Sequence, residues 1–329
     1  MPKRQFPPEE AMIEKRETAP WRRPDTFLLA LLAFLLPAHA VLAAKGLALP
    51  AGTWGICFGN SPRFNGLRFN IMDRNLERVN GVNVTLWKAN DKMAGGTVNG
   101  LSLGLIPYAG ELNGIQVGLL GPGAKETMRG INLGLIGAGS GSDMIGLNLG
   151  GIGLGAGGSL RGINAGSLGV GAGTNMLGIN IGGLGVGAGD DLIGLNLGGL
   201  GVGCGKSLIG ITVAGLGAGA GDRMVGLTVC GLGAGAPVLE GLTVAGLGLG
   251  GKRISGVSLA LGTIQVVEDG TYGGLAVSAF NHIKGTMKGV AIGIVNYAYR
   301  LKGLQIGLVN IVRDNPRGRG ILPIVNFNF

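Results

Sequence analysis

The feature that most constrains this chain is a glycine that returns at fixed spacing. Gly114, Gly130, Gly146, Gly162, Gly178, Gly194, Gly210 and Gly226 are each 16 residues apart, and the next two steps, to Gly241 and Gly256, are 15. Each opens a phrase of the type G-Φ-N-Φ-G, where Φ is apolar, with Gln for Asn at Gly114 and with Thr or Ser for Asn and Ala or Cys for the last glycine from Gly210 on. A short fixed period marks a repeat architecture and takes precedence over element-by-element reading.

The repeat from Gly194 reads GLNLGGLGVGCGKSLI. Leu195 and Leu197 share one parity, as alternate residues on one face of a strand do. After Gly198-Gly199, Leu200 and Val202 have the opposite parity. A bend at the glycine pair would keep all four inside, so each repeat reads as two short strands joined by a corner and followed by a polar turn. Those turns carry Ser142-Asp143, Thr174-Asn175, Asp190-Asp191, Lys206-Ser207 and Asp222-Arg223, residue types suited to turns. Stacked coils would set the third positions in one file: Gln116, Asn132, Asn148, Asn164, Asn180, Asn196, Thr212, Thr228, Thr243 and Ser258. Amides in register can bond up and down such a stack. Asp190 would then lie between uncharged Thr174 and cationic Lys206.

The fold class expected is all-β, a β-solenoid of 14–16-residue coils. The alternative is a transmembrane antiparallel β-barrel, favoured by a terminal Phe329 after alternating Val325 and Phe327. Against it, no Phe, Tyr or Trp occurs between Ala109 and Thr271, whereas such barrels carry aromatic girdles. The 70 glycines lack the three-residue period of collagen, and the regular apolar spacing argues against disorder.

Residues 1–43 read as a signal peptide with a long polar n-region. The apolar run Phe27–Leu36 is followed by Ala38-His39-Ala40, an A-x-A cleavage phrase; cleavage falls after Ala40 or Ala43, an uncleaved anchor being the alternative. The leading segment is long enough that translation from Met12 rather than Met1 is open. Residues 44–65 form a lead-in or cap, and 66–329 a single glycine-rich β-repeat domain with its regular array at 114–241. Looser repeats begin at Gly66, Gly81 and Gly100, and others continue from Gly274, Gly289, Gly303 and Gly320. About 17 motif starts at roughly 4.8 Å per coil give a body on the order of 80 Å long.

The chain is basic, net +9. That balance suits anionic lipid or lipopolysaccharide, or simply a charged edge that discourages sheet-to-sheet pairing. An exported chain with few aromatics is not expected to bind nucleic acid.

No catalytic, cofactor-binding or metal-binding residue is assigned. His282 is the one histidine outside the signal segment, which leaves neither a His-rich metal site nor a Ser-His-Asp set. Cys204 stands where Ala172, Ala188 and Ala220 stand in other repeats, and Cys230 where Ala214 and Ala245 stand; both read as small buried substitutes. With Cys57 they make an odd count and no disulfide framework. GVGCGKS invites a phosphate-loop reading, but the first required glycine is Leu200 and the phrase is one repeat's strand and turn. The chain is not read as an enzyme.

The tail, with GLQIGLVN at Gly303–Asn310 and LPIVNFNF at Leu322–Phe329, resembles a family of bacterial surface repeat-containing proteins with G-Φ-Q-Φ-G-L-Φ-N repeats and a Leu-Pro-Φ-Φ-Asn ending. The likeness is close over 286–329 and weak in the centre. It implies export to the outer membrane or surface of a diderm bacterium and implies no activity. The function expected is a non-enzymatic cell-envelope or surface repeat protein, structural or adhesive, with envelope components or copies of itself as partners; a membrane pore is the alternative that goes with the barrel.

Overall fold

The computed structural model describes residues 46–50, 52–89, 95–316 and 318–328. The expected signal segment, the choice of start codon, and Phe329 lie outside them. The described chain is a β-solenoid without a helix, in stacked parallel coils of about 16 residues.

In the regular array each coil has a long and a short strand. Met144–Gly150 is followed by Gly153–Ala156, then Leu160–Gly166 by Gly169–Ala172. Long strands pair in parallel with long strands and short with short, one coil apart: Gly162 lies between Gly146 and Gly178, and Leu154 faces Val170. This parallel register excludes the antiparallel barrel, in which neighbouring strands would run in opposite directions. Among the described residues only the first and the last strand pairings are antiparallel. Leu47–Leu49 pairs with Trp54–Phe58, and Ile321–Asn328 folds back along Gly303–Ile311. The phrase at Gly320 is therefore a reversed closing strand rather than a further coil. At the other end, Gly55 already stands in register with Gly66.

The repeated glycine is fixed by geometry. From Gly55 through Gly194 to Gly303 it holds a positive φ, 120° at Gly194, a region that costs L-residues with a side chain. A Cβ at Gly194 would lie 2.1 Å from the carbonyl oxygen of Gly178, and from Gly66 to Gly303 each such glycine would strike the same atom one coil back, while at Gly55 the obstacle is Leu49 O. No side chain fits between those backbones.

The core is not where the apolar pattern puts it. Leu195 and Leu197 do not point inward; both are half-buried and face out, and Leu200 is exposed. Strand parity demands this. The residue between Leu195 and Leu197 is Asn196, fully buried, and alternate strand residues face opposite ways. The inward positions of the long strand are instead the residue two before each glycine and the residue two after it. The first gives an unbroken buried row from Phe64, Val79, Val98 and Leu112 through Met144, Leu192 and Met224 to Tyr272 and Leu301. Each such side chain, removed from water, contributes roughly 1.5–3 kcal/mol. From the short strands Leu154, Val186, Val202 and Ala218 complete the interior. Only Val202 of the four residues expected inside in the Gly194 repeat lies in the core.

Polar turns are tied coil to coil. Asp143 Oδ1 accepts the backbone N–H of Ser159 at 2.7 Å, and Asp191 Oδ1 that of Ser207 at 3.1 Å. Lys206 Nζ lies 2.9 Å from Asp190 Oδ1, the alternation of charge expected from the sequence.

Two outcomes test this account. Gly194→Ala should cost about 2–4 kcal/mol in denaturant unfolding, from the strained φ and displaced neighbour. Gly203→Ala, whose added Cβ would have Gly219 O at 3.8 Å as its nearest contact, should stay within about 0.5 kcal/mol. The second concerns alkali. Burial pushes the Tyr272 phenol up to about 12, and its hydroxyl donates to Leu275 O at 2.6 Å. The unfolded chain ionises this phenol first, near pH 10, so its contribution is complete below that pH and is lost as pH rises toward 12. The melting temperature of the native chain should fall more steeply over that window than that of Tyr272→Phe; parallel slopes would contradict it.

Candidate interaction face and interior amide file

Two features of the coil section stand out, one inside and one outside. Inside, the third-position residues form the expected file. Asn132 Nδ2 donates to Asn148 Oδ1 at 2.6 Å, Asn148 to Asn164 at 2.7 Å, Asn164 to Asn180 at 2.8 Å and Asn180 to Asn196 at 2.9 Å. Gln116, with its amide nitrogen turned toward the file, donates to Asn132 Oδ1. All are fully buried, and Thr212, Thr228, Thr243 and Ser258 carry the row on. From Asn132 to Asn180 each carboxamide both donates and accepts, so these polar groups satisfy one another without water, whereas Asn196 at the end of the file accepts from Asn180 and its own Nδ2 has no partner.

The file changes character at both ends, which sequence reading missed. Toward the N-terminus the same row is Ser102, Asn83, Arg68 and Cys57. Arg68 is fully buried and paired with Asp73; its Nε donates to Asn83 Oδ1 at 2.9 Å and its Nη1 to Ser61 O at 2.7 Å. Asp73 also accepts from Thr85 Oγ1 at 3.1 Å. Burial draws the Arg68 guanidinium below its usual range, with Asp73 opposing. Toward the C-terminus the amides cross to the short-strand side: Asn281 donates to Asn296 Oδ1 at 2.7 Å and Asn296 to Asn310 Oδ1 at 2.8 Å, while Ala276 and Ala291 fill the third position. A further file, Asn65, Asn80, Asn99 and Asn113, runs outside the wall at the position before each glycine, with amide contacts of 2.7–3.0 Å. The recurring Asn-Gly step in GVNV and GIQV coils was its visible signal.

Outside, the flanking apolar residues form a broad face. Over the eight coils from Gly146 to Gly256 the position after each glycine is Leu147, Ile163, Ile179, Leu195, Ile211, Leu227, Leu242 and Val257. The third position after it is equally aliphatic, from Leu149 to Leu259, and the position before it holds Ile145, Leu177, Ile193, Ile209 and Val225. Exposures of 36–46% at Leu177, Ile179, Ile181, Ile211 and Val213 show side chains stacked on their neighbours yet open on the outer side. At the corner beside the earlier coils, Leu119 and Leu135 stand against Val117, Leu133 and Leu149 around an apolar groove of about 900 Å³.

The remaining candidates are structural. Lys206 lies in a strand-to-strand turn and Ser207 opens the next strand, without the helix N-terminus that a phosphate loop needs. His282 stacks on Phe280 at 5.1 Å and meets the edge of Tyr297 at 5.2 Å; partial burial and then Lys284 draw its pKa down. Cys204 stands in register between Ala188 and Ala220, and Cys230 between Ala214 and Ala245. The three cysteines are free, and burial raises each thiol. Among the described residues no three His, Cys, Asp or Glu side chains converge as a metal site would require.

Comparison with protein-family models, with curated proteins and with solved structures finds no match for this chain.

Replacing Asn164 by Leu keeps the branched outline of the side chain but strands the amide of Asn148 and the carbonyl of Asn180. That should cost about 2–6 kcal/mol, two unsatisfied buried groups at about 1–3 each. Asn164→Thr, the residue that Thr212 supplies in the same row, should cost less than half as much. Equal losses in urea unfolding would mean that the file acts only as packing.

Proposed function

We propose that the protein is a non-enzymatic, exported repeat protein of the cell envelope or surface of a diderm bacterium, with a structural or adhesive role. The observation that carries this reading is the outward aliphatic face, repeated coil after coil on a stiff backbone. A monomeric soluble protein rarely leaves so large a continuous apolar surface open, and such surfaces mark contact with a partner. Repeat solenoids present extended binding surfaces of this kind. Export is supported by the sequence, through Phe27–Leu36 with Ala38-His39-Ala40 and through the likeness of the tail to bacterial surface repeat proteins. The basic balance, net +9, suits anionic envelope lipid or lipopolysaccharide as the surroundings.

The test is fractionation of producing cells with sequencing of the mature N-terminus. The expected result is a chain beginning at Val41 or Ala44, recovered with the envelope or outside the cell and released by carbonate or urea without detergent. Recovery of an uncleaved chain in the cytosol would overturn the proposal.

A further inference from the structure

The charges on the outward face are placed in a way that singles out one occupant. Over the eight coils from Gly146 to Gly256, the three outward rows nearest the repeated glycine hold only two charged side chains; a fourth row of the same parity, beside the turn, adds Asp143, Asp191, Arg223 and Arg253. The two are Arg161 in the second coil and Glu240 in the seventh, both exposed and both immediately before the repeated glycine. Second from one end and second from the other, they are symmetric about the middle of the segment.

We propose that this face binds a second copy of the chain, face to face and with the two stacks running antiparallel, about a two-fold axis parallel to the strands. Such an axis keeps each row opposite itself and reverses the order of coils. With the axis between the Gly194 and Gly210 coils, Arg161 of one protomer lies opposite Glu240 of the partner subunit, and the reverse pair forms by symmetry, as an isologous interface requires. Sheets packed face to face lie about 10 Å apart, a gap that an Arg and a Glu side chain span together. The aliphatic rows between them, Leu177, Ile193, Ile209 and Val225 with their neighbours, close on one another.

Charges farther along the same row agree with this register. Arg129 falls opposite Gly273 of the partner subunit, Lys288 opposite Asn113 of the partner subunit, and Lys302 opposite Asn99 of the partner subunit. No like charges meet. A shift of one coil in one sense sets Arg129 against Lys288 of the partner subunit, and in the other leaves Arg161 and Glu240 against aliphatic residues. A parallel two-fold along the stack would set Arg161 against the aliphatic third-position row, with no partner. The area is also sufficient. Seven-residue strands at about 3.3 Å per residue by eight coils at about 4.8 Å cover roughly 900 Å², against about 800 Å² per partner for a standard stable interface. The proposal rests on the reading of this face as a contact surface but not on export, so cellular location and association are decided separately.

The experiment is sedimentation of the protein as isolated from its producing cells, across a concentration series, with charge-reversed variants. The native chain is expected to sediment as a dimer. Arg161→Glu and Glu240→Arg should each weaken dimerisation at least tenfold, because each brings two like pairs together, and Arg161→Glu combined with Glu240→Arg should restore it. Circular dichroism of each exposed-site variant checks that the fold is intact. A chain that stays monomeric at all concentrations overturns the proposal, including one that is monomeric in buffer and floats with vesicles of anionic lipid. A dimer indifferent to both single reversals, or not rescued by the double one, overturns the antiparallel register.

Discussion

Everything in this structure depends on how closely one backbone lies over the next at the repeated glycine. With Gly194 at a φ of 120° and no room for a Cβ beside Gly178 O, the coil has a fixed point that neither slides nor tolerates replacement. A one-residue slip would turn every inward side chain outward, and the glycine stack prevents it at each step. The variation in coil length, such as the extra residues around Glu268-Asp269, is absorbed in bulges between fixed points.

That fixed point leaves a narrow interior, and the narrowness decides its chemistry. Where the short strand supplies Val or Leu, as at Val186 and Leu154, the long strand opposite supplies the amide file. Where the short strand supplies Asn281 or Asn296, the long strand shrinks to Ala276 or Ala291. In those coils one polar file and one apolar partner fill the section; the Gly303 coil departs from this, with Gln305 and Asn310 both buried. Asn suits the role because donation upward and acceptance from below are both satisfied at the coil spacing, and the bond directions add along the stack. Arg68 with Asp73 does the same job at the N-terminal end with charges. Replacing such a pair by apolar residues is often neutral, whereas losing one member is costly, so its value lies in specifying that coil.

The period, the parallel stacking, the polar turns and the buried file were legible in the sequence, since each depends only on spacing. The core was not. Placing Leu195, Leu197 and Asn196 all inside is impossible for one strand, and the conflict is resolved by asking which residue gains more from burial. An isolated Asn would lose that contest on transfer free energy alone. A file of Asn in register wins because its amides are mutually bonded, and Leu195 and Leu197 are turned outward. The true core row, Met144, Leu160, Met176 and Leu192, stood in the sequence at the same parity as the asparagines, two residues before each glycine. The rule that apolar residues lie inside hid it, because the conspicuous G-Φ-N-Φ-G phrase carries its apolar residues on the outer wall.

An outward apolar wall on a parallel stack raises the problem of uncontrolled association, and the ends of the molecule bear on it. A parallel coil that simply stopped would present a free strand edge, ready to accept another chain and grow into a fibre. Among the described residues the stack reverses at its first and last strands: Leu47–Leu49 lies antiparallel on the first coil strand, and Ile321–Asn328 lies antiparallel on the last. Reversal breaks the register that a further parallel coil would need, so end-to-end growth is opposed while the side wall stays open. A closed pairing of two walls consumes that surface without propagating, because an isologous contact uses the same patch on both partners. In the proposed dimer the reversed end strands and the symmetric pair Arg161 and Glu240 are two parts of one solution, each limiting association where the aliphatic stack alone would leave it unlimited.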